Sequence, residues 1–297
     1  AFCFAERTTR LESMAILISV LDLFQQMYEM NRAYLWFMEV EFTFLGTGTS
    51  QGVPIIGCAC EVCQSENERD QRLRSSLLVK AGGATVVIDT GPDFRQQCLR
   101  AGIYALDAVV FTHEHKDHVA GLDDIRPFNF RSRKNMPVYA TERVERALQR
   151  EFKYIFEADY PGVPRVQLHR IREEPFAIGD ALWWPLPVLH HKLPVLGFRI
   201  GGLAYITDAN QLTPLALQRL EGVDVLVLNA LRRESHLSHF TLDEALEWTL
   251  KIGARQTYFT HISHQLGFHE SVNAELPDGV ALAHDGLVGT THGAGLD

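Results

Sequence analysis

The run Thr112-His113-Glu114-His115-Lys116-Asp117-His118 sets three imidazoles and a carboxylate side by side, directly after Ala108-Val109-Val110-Phe111, which reads as a buried strand. Neutral imidazole and carboxylate together suit divalent ions such as zinc, manganese or iron, and this one loop holds enough donors to begin two adjacent sites. Even with 13 His in the chain, chance rarely sets His-x-His-x-Asp-His between a strand of this kind and the small-residue helix start Val119-Ala120-Gly121-Leu122. The expected chemistry is that of a dinuclear metallohydrolase. Two divalent ions about 3.5 to 4 Å apart make hydroxide available near neutral pH and neutralise phosphoryl oxygens as charge builds. A phosphodiester is a natural substrate for such a pair, attacked in line, with a leaving oxygen that needs a proton or a positive partner.

Other ligands should sit where strands end and loops converge. His190 follows Leu182–Leu189, Asp208 follows Leu203–Thr207, and His261 follows Thr257–Thr260, each a metal-capable side chain just beyond an apolar run. Alone, an Asp in Ile-Thr-Asp reads as a turn cap and either histidine as a structural residue. Together with the histidine-rich loop they favour one shared cleft. Asp89, closing Val86-Val87-Ile88, is placed to orient a ligand imidazole through its other nitrogen. Arg126 and Asn129 follow the loop closely enough to touch a substrate phosphate, although Asp123 and Asp124 offer the arginine simpler partners. In Glu234-Ser235-His236-Leu237-Ser238-His239-Phe240, His239 is the candidate general acid or phosphate contact, because it precedes a capped helix whose first N–H groups favour anions. His236 stays open as its alternative.

A second cluster, Cys58, Cys60 and Cys63, brings three thiols close enough to fold round one tetrahedral zinc, with His264 as the expected fourth ligand. A disulfide framework would leave an odd thiol, and no secretion signal points to an oxidising destination. Cys3 and Cys98 lie apart from the cluster and carry no role.

The elements that must position these residues fit an ordinary globular chain. Of 297 residues, 46% are hydrophobic and 22% charged. A net charge of -9 disfavours stable nucleic-acid binding. The apolar run Ala15–Leu21 is too short to span a bilayer, so no membrane partner is expected. Residues 1–37, which include an amphipathic stretch from 14, read as an N-terminal extension, and 38–297 as one domain. Strands are expected at 39–45, 76–81, 84–89, 107–111, 137–140, 166–171, 181–189, 196–200, 203–207, 224–229 and 256–260. Helices are expected at 93–101, 141–152, 213–220 and 241–252, the last with a capping box from Thr241 and Glu244. Hairpin strands followed by strand-helix alternation point to a layered α/β sandwich. A cytoplasmic location and a homodimer are the default expectations for such an enzyme.

The motif Thr-His-x-His-x-Asp-His, joined by His190, Asp208 and His261, resembles the metallo-β-lactamase superfamily from Met38 to the C-terminus. That resemblance implies an αββα four-layer sandwich with metals at one edge of the sheets. It implies one ion on His113, His115 and His190, a second on Asp117, His118 and His261, and Asp208 between them. His190 is preferred to His191 because the family's ligand lies a few residues before the next strand. Leu45-Gly46-Thr47-Gly48-Thr49-Ser50-Gln51-Gly52-Val53-Pro54, the cysteines and Thr260-His261-Ile262-Ser263-His264-Gln265 are together similar to the PhnP-type phosphodiesterases. The similarity implies opening of cyclic ribose or nucleotide phosphates, a pair of zinc, manganese or iron ions, and a structural zinc on Cys58, Cys60, Cys63 and His264. It also supports a histidine at His239, and Asp117 and His239 are the expected catalytic residues. A tRNA 3′-processing endonuclease, a thioester hydrolase and a non-catalytic metal-binding scaffold are the alternatives.

Overall fold

The computed structural model describes residues 38–157 and 160–291, so the expected extension at 1–37 and Cys3 lie outside the described residues. The first sheet is built from β1 (Val40–Gly46), β2 (Ser76–Ala81), β3 (Ala84–Ile88), β4 (Ala108–Val110), β5 (Met136–Ala140) and β6 (Val166–Arg170). The second takes β7 (Phe176–Ile178), β8 (Ala181–His190), β9 (Leu193–Ile200), β10 (Leu203–Ile206), β11 (Gln211–Leu212), β12 (Val225–Asn229), β13 (Gln256–Thr260) and β14 (Val280–Leu282). The last strand, β15 (Val288–Thr291), returns to the first sheet beside β1, giving the orders β15-β1-β2-β3-β4-β5-β6 and β11-β8-β9-β10-β12-β13-β14, with β7 on β8. Strands β3 to β6 run parallel, as do β10, β12, β13 and β14.

The helices are α1 (Phe94–Arg100), α2 (Lys116–Val119), α3 (Arg126–Ser132), α4 (Glu142–Glu151), α5 (Lys153–Glu157), α6 (Pro214–Leu220), α7 (Leu242–Ile252) and α8 (His269–Asn273). Side chains alternate across a strand, so each apolar run feeds two layers. Val86, Ile88 and Val110 face Trp183, Phe198, Tyr205 and Val227 between the sheets. Val87 and Val109 face outward onto Phe94, Phe128, Val144 and Leu148, from α1, α3 and α4. On the other side Leu226 and Leu228 meet Ala216, Leu220 and Ala245, from α6 and α7. The result is the expected αββα sandwich, with continuous apolar strands because both of their faces are buried.

The expected strands and helices are present, most with ends shifted by a residue or more. Four strands, β7, β11, β14 and β15, were not expected; three are only two or three residues long, and β15 contains Gly289. A Cβ on Gly289 would stand 2.3 Å from the Phe42 ring, so this strand needs the residue that weakens its pattern. The helix expected to start near Val119 begins at Lys116, because His115 is extended at φ -63°, ψ 150° and serves as its N-cap. Asp117 and His118 therefore lie on the first turn of α2.

Candidate metal centre

The predicted ligands converge from both sheets. His113, His115, Asp117 and His118 follow β4, Asp208 follows β10, His261 follows β13 and His190 closes β8. The first three groups stand just past the C-terminal ends of parallel strands, where loops rather than ladders fill the edge. Gly91 and Gly121 let the loop pack down: a Cβ on Gly91 would meet the Asp117 carbonyl oxygen at 2.1 Å, and one on Gly121 the Gly91 carbonyl oxygen at 2.2 Å.

His118 Nε2 lies 3.2 Å from Asp117 Oδ2 and 3.2 Å from Asp208 Oδ2. On the other Asp208 oxygen, His261 Nε2 stands at 3.2 Å and His239 Nε2 at 3.3 Å. His113 Nε2 and His115 Nδ1 are 3.0 Å apart, and the His190 ring is 5.1 Å from that of His115 and 4.6 Å from that of His239. The donor atoms of Asp117, His118, Asp208 and His261 all lie within 4.8 Å of one another, as do those of His190, Asp208 and His239. Asp208 belongs to both groups. His191, by contrast, is exposed in the β8–β9 turn at φ 57°.

Hydrogen bonds on the far side of each ring set its tautomer. His118 Nδ1 lies 2.7 Å from Asp89 Oδ2 and His190 Nδ1 lies 2.9 Å from the Ser238 carbonyl oxygen, and both partners can only accept. Thr112 Oγ1 donates to Asp89 Oδ2, so it accepts from His113 Nδ1 at 2.9 Å. Ser75 Oγ donates to the Gly48 carbonyl oxygen, so it accepts from His261 Nδ1 at 3.1 Å. Each of these four rings thus carries a proton on Nδ1 and points Nε2 toward the cluster, the orientation in which imidazole, once Nε2 is free of a proton, binds a cation. His118 Nε2 and His239 Nε2 are buried without a hydrogen-bond partner among the described residues, which leaves the first for a cation and the second for a cation or a substrate atom.

The charges agree. Burial pushes the His113 imidazole well below its ordinary 6.5, helped by His118, and burial lowers His261. Burial also opposes a charge on His118, but Asp117, Asp208 and Asp89 outweigh it and hold this ring well above 6.5. For Asp208 burial is outweighed by His261 and His118, which keep the carboxylate ionised far below its usual range. His239 is pulled down to about 3, first by burial and then by His261. Asp89 at φ 65° and His261 at φ 57° hold left-handed backbone conformations that cost energy in residues with a Cβ. Both orient the cluster.

The cysteine cluster also assembles. Cys58, Cys60 and Cys63 place their Sγ atoms 3.5, 3.2 and 3.5 Å from His264 Nδ1. The Cys63 backbone N–H and His264 bring Cys60 down to about 6, whereas burial lifts Cys63 to about 11. Three thiols so close cannot all ionise without a cation, and this donor set fits zinc. Cys98 stands apart, its thiol pushed up to about 12 by burial. His239 is 8% exposed and reaches Asp208, while His236 is exposed, its ring centroid 5.0 Å from that of His239. Asn129 is not free for a phosphate: its amide is buried and bonds Lys134 and Arg165 backbone groups. Arg126 reaches the Gly162 carbonyl oxygen instead of Asp123 or Asp124. Sequence reasoning missed the roles of Thr112 and Ser75. Thr112 had a signal, its place directly before His113; Ser75 had none.

Residues 84–262 match the family model of the β-lactamase superfamily domain. The chain is 45% identical to the solved structure of a new diphosphatase from the PhnP family, covering 85% of this chain and 97% of that one with a TM-score of 0.80. It is also 40% identical over 247 residues to an octanoyltransferase of Porphyromonas gingivalis, covering 82% of this chain and 50% of the relative. The chain thus spans about half the length of that curated relative. A ribonuclease Z of Mycobacterium bovis is 26% identical over 216 residues, 66% of this chain and 71% of that enzyme. With the sandwich and the histidine-aspartate cluster in place, the chain belongs to the metallo-β-lactamase superfamily, as a hydrolase related to PhnP.

Proposed function

We propose that the chain is a metal-dependent phosphodiesterase acting on small diesters, cyclic ribose or nucleotide phosphates foremost. The observation that carries this reading is the donor group of Asp117, His118, Asp208 and His261, with His190 also within reach of Asp208 and Nδ1 of His118, His190 and His261 tied back so that Nε2 faces the cluster. His113, His115 and His190 would hold one divalent ion, Asp117, His118 and His261 the other, and Asp208 both. When bound, such a pair supplies a nucleophilic hydroxide near neutral pH and neutralises the phosphoryl oxygens. His239, next to Asp208 and at the inner end of the loop that carries His236, faces the leaving oxygen and hydrogen-bonds it as charge develops there. The thiol cluster with His264 would hold a structural zinc that anchors the segment presenting His261.

The 45% identity to a diphosphatase supports phosphoryl chemistry and favours a second reading, cleavage of a diphosphate linkage. The test is hydrolysis of bis(p-nitrophenyl) phosphate, 2′,3′-cyclic AMP and a diphosphate diester by metal-loaded protein, with Asp208→Ala beside wild type. Diester cleavage that falls about a hundredfold or more in Asp208→Ala is expected. Cleavage of the diphosphate alone moves the assignment to the second reading, and turnover of neither class by fully metallated protein overturns both.

A further inference from the structure

The C-terminal edge of the first sheet continues past the candidate metal centre into a second cleft of about 660 Å³, lined by Glu114, Thr141, Arg143, Arg146, Arg150 and Arg172. Its position follows from the topology. Strands β4, β5 and β6 are parallel neighbours; Glu114 lies in the loop after β4, Thr141 directly after β5, and Arg172 just after β6. Open parallel sheets bind ligands outside these strand ends. The volume falls in the range that holds a small organic ligand.

We infer that this cleft binds a small molecule carrying a diphosphate, with the Arg146 and Arg172 guanidinium groups as its principal anchors. Four arginines converge there on a chain whose net charge is -9. Three of them meet carboxylates: Arg143 pairs with Glu114, Arg146 with Glu142 at 2.5 Å and Arg150 with Glu151 at 3.3 Å. Arg172 has no ion-pair partner among the described residues, so the cleft keeps a surplus positive charge. The Arg146–Glu142 pair is open to water, with side chains 74% and 47% exposed, and such screened pairs are weak. A phosphate oxygen displaces it readily, because guanidinium groups bind phosphate through two parallel N–H donors. One lone phosphate would leave most of this volume empty, whereas a diphosphate offers oxygens to two sides of the cleft, helix α4, which carries Arg143, Arg146 and Arg150, and the segment just after β6, which carries Arg172. The floor, Ile171 and Ala147, is apolar and accommodates the uncharged remainder of the molecule. This site does not rest on the reading of the metal centre.

The probe is α,β-methylene-ADP, which cannot be cleaved between its phosphorus atoms, titrated calorimetrically into metal-loaded protein. Wild type should bind it, and Arg146→Ala/Arg172→Ala should bind about tenfold or more weakly, with metal content and bis(p-nitrophenyl) phosphate turnover unchanged. The Arg146→Lys/Arg172→Lys variant keeps the charge and should fall between them. Because these side chains are exposed, the variants should melt like wild type. No binding by wild type, equal affinity in the alanine variant, or turnover that falls in parallel with affinity would each overturn the proposal.

Discussion

Asp89 ties the candidate metal centre to the backbone of the first sheet. One carboxylate oxygen accepts from the Thr112 backbone N–H at 2.8 Å, and the other meets both Thr112 Oγ1 and His118 Nδ1 at 2.7 Å. Asp89→Asn keeps the shape but presents an amide to one of these donors. Metal affinity or diester turnover should drop about 10- to 100-fold, measured by competition with a chelating dye. His239 makes a sharper prediction. If its imidazole serves the leaving oxygen, His239→Ala should slow a cyclic or alkyl diester about a hundredfold or more while slowing a p-nitrophenyl ester much less. Equal losses on both substrates would make it a structural neighbour of Asp208 instead. At this scale the sequence was legible wherever a polar residue closed an apolar run, as at Asp89, Asp208 and His261. It was not legible for Ser75 or for the Ser238 carbonyl, which orient His261 and His190 from segments distant in the chain.

The long strands could be read because both faces are buried, and α7 because Thr241 and Glu244 close a reciprocal capping box. Thr241→Ala should cost about 1 kcal/mol, seen as a lower melting temperature with little change in activity. What escaped were elements held by distant partners, such as α8, whose first residue His269 donates its backbone N–H to the Asp70 carboxylate and lies against Arg72. Arg72 is buried and Nη2 can only donate, so His269 Nδ1 accepts at 3.1 Å and the ring must be neutral. Burial, reinforced by Arg72, lowers His269 from 6.5 to about 4. The unfolded chain therefore binds the extra proton first as pH falls. Its contribution is complete above pH 6.5 and is lost between 6.5 and 4, at most about 3 kcal/mol. Denaturant melts of wild type and His269→Gln should diverge at pH 7 and converge toward pH 4; a constant gap would contradict the neutral ring.

Over the whole molecule, the two sheets and the cysteine-histidine cluster bring segments from opposite ends of the described chain to one edge, since Cys58 lies beside His264 and Ser75 beside His261. Among the described residues no helix is long and apolar enough to cross a membrane. A layered α/β sandwich was legible from the alternation of apolar strands and helices, and its αββα order from the resemblance that the histidine-rich motif carries, while the pairing of β15 with β1 was concealed by a four-residue strand with a glycine. Elemental analysis of wild type, Asp208→Ala and Cys60→Ser tests the central claim directly. The account predicts about three metals per wild-type chain, loss of the pair in Asp208→Ala with the zinc retained, and loss of one zinc in Cys60→Ser with the pair retained. Fewer than two metals in wild type, or the same loss in both variants, would contradict it.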